Sequence, residues 1–175
     1  MSHKKGTLYL DSEGGPILVF KNVAGYQLWA GKKMRSILAE LTEEEYERKV
    51  IHNTSVKDIC THILMALETC CLIAENSEDK SRFERVENAT REELLKIWHE
   101  RDTELATIIR EIPQGRITVP HITETPFEID LIDFYFQYMI HTTHHRGQLA
   151  MALRSLGKDV PGTDYIMFFA EQANP

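Results

Sequence analysis

The stretch from Thr125 to Gly157 constrains the fold more than any other part of the chain. Thr125 is placed to cap a helix, Pro126 takes the first helical position, where its missing N–H is not needed, and Glu128 completes the cap. Gly157 suits the left-handed residue that closes a helix. About thirty residues lie between these signals, a rod of roughly 45 Å at 1.5 Å per residue. Phe127, Leu131, Phe134, Tyr135, Tyr138, Leu149, Ala152, Leu153 and Leu156 give it an apolar face at helical spacing. Such a rod is stable when other helices cover that face.

Three further segments can supply the cover. From about Asn22 to Glu40, Val23, Tyr26, Trp29, Ile37, Leu38 and Leu41 recur at helical spacing, with Met34 between them and Gly25 and Gly31 as weak points. Ser55-x-x-Asp58 opens a second helix whose buried stripe reads Ile59, His62 and Ile63, Ala66, Cys70, Ile73. Thr90-x-x-Glu93 opens a third, running through Trp98 and Leu105 to Ile112, with Pro113-Gln114-Gly115 to stop it. The segment 42–53 is acidic and reads as a solvated connector, and Asp164–Ala170 adds a short terminal helix packing back through Tyr165, Phe168 and Phe169. Thr7–Leu10 and Ile17–Phe20 flank a Gly-Gly-Pro turn and read as a hairpin or extended arm. The expectation is an all-α chain: one domain over 1–175, an antiparallel four-helix bundle with a short N-terminal arm or hairpin.

Composition narrows the partners. At 175 residues, 42% hydrophobic and 27% charged, the chain is an ordinary globular protein of domain size. A formal net charge of −7, with Lys and Arg dispersed, argues against gripping a phosphate backbone, so no nucleic-acid partner is expected. No apolar run reaches the ~20 residues of a membrane span, and Met1–Tyr9 carries Lys4 and Lys5 with no apolar stretch behind them. The expected location is cytoplasmic, without membrane contact. Cys60, Cys70 and Cys71 are an odd number without framework spacing and read as small buried hydrophobes in a reducing compartment.

Of eight histidines, His3, His52, His99 and His121 read as surface residues. His141 and His145 stand four apart, so their imidazoles project from one helical face, and that face continues through Tyr138 before them and Leu149 after them. Burying a polar group without a partner costs roughly 1–3 kcal/mol, so two such rings in a core stripe need something to satisfy them. His62 raises the same question on the second helix. If the two helices face each other, three imidazoles converge, the donor set of a metal site that keeps an open position. Spacing alone leaves other readings open: hydrogen-bonded core histidines, or a solvated patch.

The segment His141-Thr142-Thr143-His144-His145-Arg146-Gly147-Gln148, followed by Leu153-Arg154-Ser155-Leu156-Gly157, resembles the C-terminal signature of the DinB-like superfamily. Pro161, Asp164 and Tyr165 fit that family's tail, the Ser55–Ile63 segment resembles the one carrying its first ligand, and the Trp29 helix its opening helix. The resemblance runs from about Phe20 to Phe169. By position it implies a divalent metal on His62, His141 and His145, with His144 a neighbour and not a ligand. One departure is Ile140, where such proteins often carry asparagine, which leaves the orientation of His141 to another acceptor.

The resemblance also implies chemistry. Family members with known activities include metal-dependent enzymes using low-molecular-weight thiols, such as bacillithiol transferases and a mycothiol-dependent maleylpyruvate isomerase. The expected function is a metal-dependent transferase or hydrolase acting on a small-molecule substrate; the alternative is a non-catalytic metal-binding or stress-response interaction protein. Zinc or nickel leads the metals, with iron, copper and manganese behind. No catalytic residue is assigned: Glu68 and Asp58 are weak general-base candidates that read better as surface charges, and Tyr138 reads better as a core aromatic than as a donor to a bound water. For Arg146 and Gly147, bracing the bundle and admitting a neighbouring helix are favoured over substrate contact; in the less favoured alternative Arg146 holds a carboxylate near the site and Gln148 bonds to it. A homodimer is compatible with such a bundle, though no heptad requires one.

Overall fold

The computed structural model describes residues 17–111, 115–119 and 124–173. Among these residues seven helices and two small antiparallel hairpins follow in the order α1 (Ile17–Ala39), α2 (Glu43–Glu47), β1 (Lys49–Ile51), β2 (Thr54–Ser55), α3 (Val56–Ala74), α4 (Ser81–Glu87), α5 (Arg91–Arg110), β3 (Arg116–Val119), β4 (Phe127–Asp130), α6 (Leu131–Ser155) and α7 (Tyr165–Ala173). The molecule is mainly helical. None of the described helices is long and apolar enough to cross a membrane.

Local chemistry sets the helix ends. Ser55 accepts from the Asp58 N–H while the Asp58 carboxylate accepts from the Ser55 N–H, and Thr90 and Glu93 do the same for α5. Gly157, at φ +77°, ends α6: its N–H reaches the Arg154 carbonyl and that of Lys158 reaches Leu153. Asn76, at φ +50°, closes α3 in the same way.

The long helices meet over one buried cluster. α1 packs against α5, and α3 against both α5 and α6. Met34 and Leu38 of α1, Ile63, Leu64 and Leu67 of α3, Trp98 and Leu105 of α5, and Tyr135 and Leu149 of α6 are all fully or almost fully buried. Between α1 and α5 runs an ion pair, Arg35 Nη1 to Asp102 Oδ2 at 2.6 Å, with the carboxylate fully buried. Gly31 makes room for it: a Cβ there would lie 2.3 Å from Asp102 Oδ2. At the far side of α1, Tyr26 meets Tyr165 edge-on at 5.1 Å and Trp29 Nε1 donates to Glu171, which docks α7. The expected terminal helix is present, with Tyr165 and Phe168 turned toward α1 and Phe169 against those two rings.

Several expectations change. Ile17–Phe20 is the first turn of α1 and not a strand; a short apolar run after a proline suits either, and the helix that follows decides it. Thr7–Leu10 lies outside the described residues. The connector 42–53 holds α2, with a capping box from Thr42 to Glu45, and a hairpin whose two-residue turn, His52-Asn53, has both φ positive. Thr125 does not cap α6: Phe127–Asp130 pairs with Arg116–Val119, Ile117 opposite Ile129 and Val119 opposite Phe127, and the helix starts five residues later than expected, at Leu131, with Asp130 at the N-cap position but making no side-chain cap bond. Strand pairing outcompetes the local cap, and α6 has 25 residues instead of about thirty. The short helix α4 is not among the elements expected from the sequence.

Candidate metal centre

β2 runs directly into α3, and the Ser55 cap fixes where the helix begins. Seven residues on, nearly two turns, His62 faces α6. There it meets His141 and His145, one turn apart in the middle of that helix. Ring centroids are 5.1 Å apart for His62–His141, 4.4 Å for His62–His145 and 4.3 Å for His141–His145. One ring nitrogen from each lies within 4.8 Å of the others, and among the described residues this is the group of three or more potential ligands placed to share an ion.

The rings do not lie in the core. His62 is exposed, and His141 and His145 are half-buried. The buried stripe of α3 runs Ile59, Cys60, Ile63, Leu64, Leu67, one side-step from His62; that of α6 runs Tyr138, Met139, Thr142, Arg146, Leu149. The imidazoles occupy the rims of these stripes, so the cluster is open to solvent. This corrects the expectation of buried rings and removes the burial penalty as a reason for a partner.

Two of the rings, His141 and His145, are biased toward the neutral form. Burial lowers the pKa of His141, and the neighbouring His145, His62 and His144 add repulsion. His145 is lowered mainly by burial, with Gln148 opposing. Gln148 Oε1 stands 2.7 Å from His145 Nδ1, and its Nε2 lies 3.1 Å from His144 Nε2. With the amide oxygen toward Nδ1, His145 carries its proton there and presents the Nε2 lone pair. The sequence reading names a carboxylate partner for Gln148 only as the less favoured alternative; the three-residue spacing from His145 on one helix is the signal for the contact it makes. No hydrogen bond fixes His141 among the described residues, and Ile140 is exposed.

Arg146 is a brace. It is buried, donates to Gln27 Oε1 at 2.7 Å, Tyr26 Oη at 3.0 Å and Thr143 Oγ1 at 2.8 Å, and so ties α6 to α1. Gly147 admits no neighbouring helix, because its Cβ position faces open space. Tyr138 is buried, and burial raises its phenol pKa well above the ordinary value, as befits a core aromatic. Asp58 is exposed and held by the Ser55 N–H and Lys49. Glu68 corrects a surface expectation: it is buried, 2.9 Å from Arg101 Nε and 3.6 Å from Arg82. Neither carboxylate joins the histidines. The three cysteines are free and buried, and burial pushes each thiol pKa up.

Beside the histidines lies a cavity of about 530 Å3 between α3 and α6, with His62 and His141 in its wall and Phe83 of α4 at its side. Met65, Ala66 and Phe134 make most of the remaining lining apolar.

Comparison with known proteins agrees with this architecture. Searched against curated proteins, the chain finds no match. A solved structure of a protein from Exiguobacterium sibiricum, described as of the DinB family, superposes with a TM-score of 0.61 at 15% identity, covering 82% of this chain and 95% of that one, a likeness of fold. The family model described as DinB family matches residues 16–174, spanning α1 to α7 and all three converging histidines, and the chain therefore belongs to the DinB family.

Proposed function

We propose that this chain binds one divalent metal ion through His62, His141 and His145 and uses its open position on a small-molecule substrate, as a metal-dependent transferase of low-molecular-weight thiols or a hydrolase. The observation that carries the reading is the convergence of three ring nitrogens from two helices within 4.8 Å. Small side-chain rotations bring such nitrogens to the roughly 2.0–2.1 Å of an imidazole–zinc bond, and three neutral imidazoles leave a position for water or substrate. Zinc or nickel suits the set best, with iron, copper and manganese as further candidates. A bound divalent ion lowers the pKa of a thiol or water placed on it and polarises an electrophile.

The protein's own groups prepare that chemistry. Burial and mutual repulsion keep His141 and His145 unprotonated near neutral pH, so no proton has to leave before binding. Gln148 orients His145. Supporting this site is an antiparallel four-helix bundle of α1, α3, α5 and α6 in one domain: α1 packs on α5, α3 on α5 and α6, and Arg146 links α6 back to α1. Buried, unpaired cysteines suit a cytoplasmic protein, and the exposed Phe136, Ile140 and Met151 along α6 suit a homodimer.

One observation favours a second reading, metal binding without turnover, as in a stress-response interaction protein: among the described residues, no carboxylate stands at the site to serve as a general base. Metal analysis of untagged protein tests the common part. About one equivalent of zinc or nickel is expected in the wild type and none in the His141→Ala/His145→Ala variant, whose helical circular dichroism stays intact. A metal-free wild type that also refuses added zinc overturns both readings. Turnover of thiol and electrophile pairs then separates the enzyme from the binder.

A further inference from the structure

The cavity beside the histidines differs from the rest of the surface in chemistry. Its walls are apolar side chains of α3, α4 and α6, chiefly Met65, Ala66, Phe83 and Phe134. Among the described residues no Lys, Arg, Asp or Glu lines it, in a chain where these make up 27% of residues. The Thr69 hydroxyl at its edge already donates to the Met65 carbonyl, and the Cys70 thiol in its wall is held protonated by burial. Two polar groups are left over among the described residues: the Gln137 amide, exposed and without a hydrogen-bond partner, and the buried Tyr138 hydroxyl, which likewise has none. A volume of about 530 Å3 falls in the range of roughly 300–1,000 Å3 typical of small-molecule sites.

We propose that this cavity is the substrate's recognition subsite and takes an uncharged, largely apolar group, aromatic or branched, whose reacting atom lies at the His62 and His141 end. The proposal rests on the metal-centre reading, because the two histidines belong to both the ligand set and the cavity wall. Apolar walls reward burial of carbon at about 25 cal/mol per Å2, whereas a charge placed there finds no counter-charge and loses its hydration. The cavity therefore selects against charged molecules. It also places the bound group beside His62 and His141, two of the residues that would hold the ion. The charged portion of a second reactant stays on the open, solvent-facing side of the histidines.

The test uses two fluorescent probes of one skeleton, neutral N-phenyl-1-naphthylamine and its sulfonated analogue 8-anilino-1-naphthalenesulfonate. The neutral probe is expected to bind the wild-type chain at least tenfold more tightly than the sulfonate. Ala66→Trp, which fills the cavity, and Thr69→Trp, which blocks its edge from an exposed position and spares the core, should each weaken the neutral probe tenfold or more while zinc affinity holds. Cobalt(II) loaded in place of zinc should quench the bound probe, since the two share His62 and His141. Equal binding of both probes, unchanged binding in both variants, or an unquenched probe overturns the subsite. Zinc uptake measured in parallel keeps the two readings apart. A wild type that takes up zinc but binds the probe no better than Ala66→Trp loses the subsite and keeps the metal centre. One that binds the probe but takes up no zinc loses the metal centre, and with it the cavity's role in a reaction.

Discussion

Gly31→Ala is a small change with a large expected effect. Its Cβ would stand 2.3 Å from Asp102 Oδ2 and 2.8 Å from Arg35 Nη1, where ordinary contact begins at 3.4 Å. Arg35 can swing aside, because its side chain reaches solvent, but Asp102 is fully enclosed by the core. To relieve the clash the carboxylate must move about 1 Å, which breaks its 2.6 Å bond to Arg35. Disrupting a buried ion pair costs about 3–5 kcal/mol. Alanine in a helix interior recovers about 1 kcal/mol over glycine, so the net loss should be roughly 2–4 kcal/mol. Urea unfolding near neutral pH measures it as a lower midpoint with an unchanged slope. The decisive control places the same change in an Arg35→Met/Asp102→Ala background. With the carboxylate gone, Gly31→Ala should stabilise by about 1 kcal/mol. Equal effects in the two backgrounds, or stabilisation in both, would refute the claim that Gly31 exists for Asp102.

Gln148→Leu should lower zinc affinity roughly 10- to 100-fold in a chelator competition, as loss of a ligand's orienting partner generally does; Gln148→Glu should recover most of it. In the metal-free chain, His141 and His145 should titrate with NMR midpoints below 6.5, because burial disfavours their charged forms. The sign follows: the unfolded chain binds these protons first, so their contribution to stability is present above pH 6.5 and is lost as pH falls toward the depressed midpoints. Ellman's reagent should react with none of the three cysteines in the native protein and with all three in guanidinium, since burial raises each thiol pKa.

Much of this molecule can be read from its residues, with limits that have physical causes. Ser55, Thr90 and Gly157 are local devices that work by bonding to backbone a few residues away, and all three act as their neighbours in sequence imply. Thr125 and Pro126 send an equally good local signal, yet the β3–β4 pairing overrides it, because Arg116–Val119 comes from ten residues upstream and no local rule contains it. The histidine cluster is legible from the spacing of His141 and His145 and from the family motif. Its depth is not: helical periodicity places a residue on a face to within one side chain, and a 100° step separates Ile63 in the core from His62 on the rim. Glu68 is the same problem reversed, a charge whose burial is possible only because Arg101 and Arg82 arrive from other helices.

The abutment of β2 on α3 makes the centre sensitive to chain length more than to side-chain identity. The His52-Asn53 turn and its ladder anchor Ser55, and no spare residue separates that anchor from the helix that carries His62. Inserting a single alanine between them would leave helix content, charge and composition almost untouched. It would also swing the imidazole through about 100° and off the seam with α6. Along this seven-residue lever, deletions and insertions should be purged while most substitutions drift freely.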